Sequence, residues 1–208
     1  GGGVRALEHH SESREVYWAH TPGLKMVIPS GPRNARALLV SAIRDPDPVI
    51  VYDPNALYRA VREEVPDADE PRPSGEPQLV KEGRDLTLIS YGAMMRPTQE
   101  AAQHLQDKDG IAADVIDLLT ISPLSEELLV QSVKKTGRAV VVHEAPRSFG
   151  PAAEIISRLM EKAFYYLEAP IERVTGYDII IPLFNREKAY LPDTQRILQA
   201  AKKVLAAR

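Results

Sequence analysis

Short apolar runs separated by amphipathic stretches dominate the hydrophobic pattern of this chain. Such runs are typical of strands that are covered on both faces of a sheet. The first two runs predict strands at 24–28 and 49–52. Between them, apolar residues at the spacing of one helical face predict a helix that buries Ala35, Leu38, Leu39, Ala42 and Ile43. Strand, helix and strand in this order predict a βαβ unit.

The second half of the chain alternates regularly between strand and helix signals. Apolar runs predict strands at 86–90, 113–116, 139–142 and 171–174. Amphipathic spacing and boundary residues predict four helices. The first covers 97–106, and the second runs from Ser122-Pro123 to Gly137. The third has an inner face from Ala152 to Ala163, and the fourth is capped by Asp193. This alternation predicts a three-layer α/β domain with a mainly parallel sheet.

A proline-rich segment separates the two halves. Residues 65–77 contain four prolines, a glycine and several acidic residues, which is the composition of a linker. We therefore expect one domain over 1–65, a linker over 66–77 and a second domain over 78–208.

Composition and charge exclude several classes of function. The chain has 208 residues and a net charge of −3, which is too small to indicate a nucleic acid or an anionic membrane as a partner. Cysteine is absent, so disulfides, thiolate metal sites and cysteine nucleophiles are excluded, and a reducing compartment is favoured. No apolar run approaches the roughly 18 residues of a membrane span.

The N-terminal stretch combines three glycines with a pair of histidines. Gly1–Gly3 allow the backbone to pass close to a ligand or another chain. His9 and His10 follow, and histidine is the side-chain type that titrates nearest neutral pH. A helix follows, with Ser13 as its expected cap. The stretch is either part of a site or, alternatively, a loose chain end that carries surface histidines.

Two further clusters have both a chemical and a structural interpretation. His143 and Glu144 follow a predicted strand, where α/β sheets often bind ligands, but His143-Glu144 could equally pack against the helix that starts near Pro151. The last carbonyl groups of the first long helix, around Ala42, are followed by Asp45 and Asp47. These oxygens could bind a hard cation, or the helix end could simply be solvated.

Several blocks in a fixed order carry a family resemblance. The chain resembles the beta subunit of the thiamine-diphosphate-dependent decarboxylating component of 2-oxo acid dehydrogenase complexes, of the pyruvate or branched-chain type. The blocks are His9-His10-Ser11-x-Ser13, Ala19-His20-x-Pro22-Gly23-Leu24-Lys25, 42–49, 88–94, 115–118, Ser122-Pro123-Leu124, His143-Glu144-Ala145-Pro146 and 187–192.

The resemblance implies a fold and an activity. It implies the rear part of a pyrimidine-binding thiamine-diphosphate domain over 1–65 and a transketolase C-terminal-like domain over 78–208. An alpha subunit would share the active site and hold magnesium and the cofactor's diphosphate, in an alpha2-beta2 heterotetramer that decarboxylates a 2-oxo acid and acylates a lipoyl arm. The family's activating glutamate would lie upstream of Gly1, so we expect this chain alone to be inactive. The expected location is the cytoplasm, or the mitochondrial matrix for a eukaryotic chain.

The resemblance also implies roles for individual residues. His10 would face the cofactor and the substrate, and Ala42, Asp45 and Asp47 would bind a structural potassium ion. Glu168 would pair with basic groups on the subunit-binding domain of the lipoyl acyltransferase.

The chain departs from the family pattern in two places, and a second interpretation stays open. Glu12 replaces a usual glutamine, which would place a carboxylate near His10, and Leu119 replaces a usual arginine. The alternative function is a non-catalytic module for dimerisation and acyltransferase docking.

Overall fold

A computed structural model describes residues 1–68 and 70–207, without the side chains of Glu8 and Asn185. Asp69 of the predicted linker and Arg208 of the predicted second domain lie outside the described residues. The strands are β1 (Lys25–Val27), β2 (Val49–Val51), β3 (Gln78–Lys81), β4 (Leu86–Ser90), β5 (Ala113–Asp117), β6 (Thr120–Ser122), β7 (Ala139–Val142) and β8 (Glu172–Val174). The helices are α1 (Glu8–Ser11), α2 (Glu15–Ala19), α3 (Pro32–Arg44), α4 (Met95–His104), α5 (Glu127–Thr136), α6 (Pro151–Ala163), α7 (Glu187–Tyr190) and α8 (Thr194–Ala206).

A small sheet holds the first part of the chain together. Strands β1 and β2 pair in parallel, Lys25 opposite Val49, with α3 between them, which confirms the predicted βαβ unit. On the other side of β1, β6 pairs antiparallel, so the strand order is β2-β1-β6. A strand from the second half of the chain therefore completes the first sheet.

A five-stranded sheet forms the core of the second half, in the order β3-β5-β4-β7-β8. All neighbouring strands are parallel except β3, which runs antiparallel along β5. Apolar residues of α4 and α8 cover one face, and those of α5 and α6 cover the other. The prediction of a three-layer α/β domain with a mainly parallel sheet is confirmed.

The predicted buried face of α3 is largely wrong. Ala37 and Leu38 are buried, and Leu38 packs with Val27 and Leu119. Leu39 and Ile43 are 49% and 76% exposed. The sheet beneath α3 has only three short strands, so it covers a narrower stripe of the helix than the apolar spacing predicts. Strand β2 is half-buried for the same reason.

Two predicted helix starts are also wrong. Helix α2 begins at Glu15 after Arg14, and no side chain caps it, so Ser13 does not have the expected role. The stretch around Ser122-Pro123 forms β6 and a cis peptide bond, and helix α5 begins only at Glu127. In contrast, Asp193 caps α8 as predicted, because its Oδ1 accepts a hydrogen bond of 2.8 Å from the Arg196 amide.

None of the helices within 1–68 and 70–207 is long and apolar enough to cross a membrane.

Candidate functional site

The N-terminal loop is bound by two buried carboxylates from the far end of the chain. The amide of Gly2 donates to Glu144 Oε2 at 2.9 Å. The amides of Gly3 and Arg5 donate to the two oxygens of Glu187, at 2.7 and 3.1 Å. Glu144 and Glu187 are 8% and 4% exposed. The loop is therefore attached to the segments around Glu144 and Glu187.

Close packing explains why this loop consists of glycines. A Cβ on Gly1 would lie 2.2 Å from Glu144 Oε1, and a Cβ on Gly2 would lie 2.9 Å from a methyl carbon of Leu191. Gly3 has a φ of 94°, which side chains disfavour. These contacts favour the interpretation of the glycines as a close-approach loop over that of a loose chain end.

A buried acid that the sequence analysis missed lies behind the loop. Glu15 is 3% exposed, and its Oε1 accepts a hydrogen bond of 3.3 Å from the hydroxyl of Tyr91. Among the described residues, its Oε2 has no hydrogen-bond partner. Burial, with a smaller contribution from Glu144, raises the pKa of Glu15 to about 7. A cavity of about 20 Å³, lined in part by Gly1, Glu15 and Tyr52, has room for about one water molecule.

His143 is a packed core residue. It is fully buried, and its Nδ1 lies 3.1 Å from the Ala145 carbonyl oxygen. A Cβ on Gly150, the residue before α6, would lie 2.6 Å from its Cε1, so the ring packs against the start of that helix. Burial lowers the pKa of His143 to about 4, and the imidazole is neutral at physiological pH. Of the pair, only Glu144 reaches the N-terminal loop.

His10 lies on the surface just beyond the anchored loop. It is exposed on α1, and its ring centroid lies 3.9 Å from that of His9. Glu12, expected to act on His10, is instead an ion-pair partner of Arg14, whose Nε donates to it at 2.6 Å. An exposed imidazole next to the anchored loop can contact a molecule that binds at this surface.

The predicted cation ligands surround a lysine. The Nζ atom of Lys25 lies 2.8 Å from Asp45 Oδ1 and 3.0 Å from Asp47 Oδ2. Hydrogen bonding to Lys25 lowers the pKa of Asp45. Ala42 belongs to the last turn of α3, whose carbonyl groups lack intrahelical partners. A potassium ion here would therefore rely on backbone carbonyl oxygens. Within the described ranges, no group of three or more His, Asp or Glu residues could hold a metal ion.

Glu168 lies on the surface next to Gly137, the residue that follows α5. Its carboxylate is 2.5 Å from Arg138 Nη1, and its side chain is 59% exposed. Its amide donates to the Gly137 carbonyl at 2.8 Å. Gly137 has a φ of 67°, and a Cβ there would lie 2.9 Å from Glu168 Cδ. The carboxylate is thus available to a partner, although an arginine of the same chain already neutralises it.

Leu119, which stands where the family resemblance implies an arginine, is a core residue. It has a φ of 56° and turns the chain between β5 and β6. It is fully buried with Val27 and Leu38. This position joins the two sheets and offers no surface for an ion pair.

Two family profiles match the chain. The profile of the transketolase pyrimidine-binding domain matches residues 1–61, and that of the transketolase C-terminal domain matches residues 75–197. In structure, the chain is similar to a split-gene transketolase described as an inactive beta4 tetramer. That similarity has a TM-score of 0.77 at 26% identity and covers 96% of this chain and 63% of that one. The fold class implied by the resemblance is thereby confirmed.

Sequence relatives agree with the resemblance. The beta subunit of the pyruvate dehydrogenase E1 component from Acholeplasma laidlawii is 47% identical over all 208 residues, which correspond to 63% of that subunit. The mitochondrial 2-oxoisovalerate dehydrogenase subunit beta from Dictyostelium discoideum is 49% identical over 95% of this chain and 53% of that subunit. The chain thus spans less than two thirds of these relatives. Because the C-terminal profile alone covers more than half of its residues, the chain belongs to the transketolase C-terminal domain family, with a pyrimidine-binding segment in front.

Proposed function

We propose that this chain contributes the beta side of a shared active site that oxidatively decarboxylates a 2-oxo acid and transfers the acyl group to a lipoyl arm. The observation that carries the proposal is the attachment of the Gly1–Arg5 loop to Glu144 and Glu187, because it holds the surface next to His10 in a fixed conformation. The identity of about 47–49% with beta subunits of two such dehydrogenases supports it.

The proposed cofactor is thiamine diphosphate, shared with an alpha subunit that also holds magnesium. The cavity beside Gly1 has about 20 Å³, which is too small for a pyrimidine ring, so the cofactor would lie outside it. The exposed position of His10 fits a cofactor held between two subunits. When bound, thiamine diphosphate supplies the carbanion chemistry. His10 would then orient the substrate and donate or accept a proton at its imidazole nitrogen.

The remaining assignments are part of the same proposal. A second beta subunit would complete an alpha2-beta2 heterotetramer. Ala42, Asp45 and Asp47 would bind a structural potassium ion, mainly through carbonyl groups because Lys25 occupies the carboxylates. We also propose a domain division with a linker over 66–77, across which β6 pairs with β1. The location would be the cytoplasm or the mitochondrial matrix.

Reconstitution tests the proposed activity. The subunit that carries this sequence is assembled with its alpha subunit, thiamine diphosphate and magnesium, and is offered pyruvate or 2-oxoisovalerate with a lipoyl domain. We expect cofactor-dependent release of carbon dioxide and acylation of the lipoyl domain with at least one of the two acids. An assembled complex that decarboxylates neither acid would contradict the proposal.

A second candidate function is docking without chemistry. The observation that favours it is the exposed Glu168, whose carboxylate would pair with basic groups on the subunit-binding domain of a lipoyl acyltransferase. In this case the assembled protein would bind the acyltransferase but would show no turnover in the reconstitution assay.

A further inference from the structure

A second, much larger cavity lies between α3, α4 and the proline-rich segment. Its volume is about 640 Å³, within the range of small-molecule sites. Four arginines line it, and they come from three separate parts of the chain. Arg33 lies on α3, Arg62 and Arg72 on the segment after the small sheet, and Arg96 on α4.

Two acidic residues of the segment after the small sheet, Glu63 and Glu70, already bind Arg33. The Arg33 amide donates to Glu63 Oε2 at 3.0 Å. The Arg33 guanidinium donates to Glu70 Oε2 from Nε at 3.0 Å and from Nη2 at 2.8 Å. The side chains of Arg33 and Glu70 are 54% and 42% exposed, and exposed ion pairs contribute little to stability. An external anion could therefore displace Glu70 at small cost.

The other arginines are more available. Among the described residues, Arg96 has an exposed pair with Glu100, one helical turn away on α4. Within the same part of the chain, the guanidinium groups of Arg62 and Arg72 make no hydrogen bond or ion pair, although the charge of Arg72 acts on Asp117. Several guanidinium groups lining one cavity are typical of sites for phosphate groups, which a guanidinium can bind through two hydrogen bonds.

Among the residues that the structure describes, basic side chains outnumber acidic ones in the cavity wall. Four arginines face two exposed glutamates, Glu63 and Glu70. The third acid is Asp117, which is 1% exposed and accepts hydrogen bonds from Ser30 Oγ and, at 3.3 Å, from the Leu119 amide. Burial raises the pKa of Asp117 to about 7, so this carboxyl group carries only part of a charge at neutral pH. The rest of the wall combines uncharged polar residues with apolar ones. The polar residues are Ser30, Asn34, Gln78 and Gln99, and the apolar ones are Ala37, Val61, Pro71, Val80 and Met95.

We propose that this cavity binds a small molecule that carries a diphosphate group. Arg62 and Arg72 would bind one phosphate, and Arg33 would bind the other after Glu70 leaves it. The apolar wall would contact the organic part of the ligand. This site is separate from the proposed catalytic surface, because none of its lining residues belongs to the glycine loop or to α1. It is also separate from the cofactor's diphosphate, which is assigned to the alpha subunit.

Calorimetric titration with inorganic pyrophosphate at low ionic strength tests the proposal. We expect saturable binding at one site, weakened about tenfold in Arg62→Gln and in Arg72→Gln. The matched control is Arg84→Gln, because Arg84 is 85% exposed in the turn before β4 and lies outside the cavity. Its affinity should equal that of the wild type. Absence of saturable binding, or an equal loss in Arg84→Gln, would overturn the proposal.

A variant that should bind pyrophosphate more tightly distinguishes an effect on binding from an effect on folding. Glu70→Gln removes the competing carboxylate, so we expect pyrophosphate to bind about threefold more tightly than to the wild type. Unchanged or weaker binding would overturn the proposal. Adenosine diphosphate should bind at least as tightly as pyrophosphate, since the apolar wall remains available. Tighter binding of a short DNA duplex than of pyrophosphate would overturn the small-molecule assignment.

Discussion

The amide of Gly3 donates a 2.7 Å hydrogen bond to Glu187 Oε1 across 184 positions of sequence. This bond, with its neighbour from Arg5, joins the histidine-bearing start of the chain to helix α7. A carboxylate suits this task because it accepts several backbone N–H groups at once. The segment that leads to His10 is thus bound by carboxylates from positions 144 and 187.

Removal of the Glu187 carboxylate should destabilise the fold. Glu187→Ala leaves two partly buried N–H groups unpaired, and we expect a loss of about 2–3 kcal/mol in the free energy of unfolding. Glu187→Gln, which keeps one acceptor oxygen, should lose about half as much. Urea denaturation measures both. The control is Glu161→Ala on the exposed face of α6. A loss in Glu187→Ala no greater than in this control would refute the anchoring role.

Glu15 should make stability depend on pH. Its pKa is raised from 4.5 to about 7, so the folded state binds a proton more tightly than the unfolded state. Its contribution to stability is therefore present below pH 4.5 and is lost as the pH rises through about 7, with a size of about 3 kcal/mol. Glu15→Gln removes this dependence. Relative to wild type, the variant should gain stability between pH 4.5 and 7.

Chemical denaturation of both proteins at a series of pH values provides the measurement. Asp117, whose pKa is also raised to about 7, titrates in both proteins and cancels in the difference. A difference between the two proteins that does not change with pH would contradict the assignment to Glu15.

Glu168 should govern the salt-dependent part of acyltransferase docking. Glu168→Gln removes the charge at nearly constant size, and Glu168→Lys adds repulsion beside Arg138. We expect binding of the subunit-binding domain to weaken about fivefold and more than tenfold, respectively. Calorimetric titration at two salt concentrations checks this, with Glu161→Lys as the control. Equal affinities for wild type and Glu168→Lys would remove this residue from the interface.

Lys25 should compete with potassium for Asp45 and Asp47. Lys25→Gln frees both carboxylates, so potassium should raise the melting temperature of this variant more than that of the wild type. The comparison uses potassium chloride against tetramethylammonium chloride at equal ionic strength. Asp45→Asn in the Lys25→Gln background should abolish the gain. No potassium-dependent shift in any of these proteins would show that the end of α3 is not a cation site.

Local patterns predicted the second half of the fold well. The apolar runs at β4 and β7 are fully buried central strands, and the Asp193 cap is a contact between residues three positions apart. Strands β3 and β6 were not predicted from the apolar runs. Their pairing depends on partners distant in sequence, and β3 presents polar ends at the edge of its sheet.

The candidate site was less predictable, for the same reason. His10 and the glycines stand out in the sequence, but the carboxylates that hold the loop come from positions 144 and 187. The sequence did not indicate that Glu15 is buried, because an acidic residue in a short helix is normally exposed. In the fold it is buried, and its Oε1 accepts a hydrogen bond from the Tyr91 hydroxyl.

We propose that His10 acts in the shared active site, and a comparison of two histidine variants tests this role. His10→Ala and its exposed neighbour His9→Ala are each assembled with the alpha subunit, thiamine diphosphate and magnesium, and acylation of a lipoyl domain is measured in a single turnover. We expect His10→Ala to slow acylation about a hundredfold with an unchanged unfolding midpoint, whereas His9→Ala stays close to wild type. Equal acylation rates in wild type and His10→Ala would contradict it.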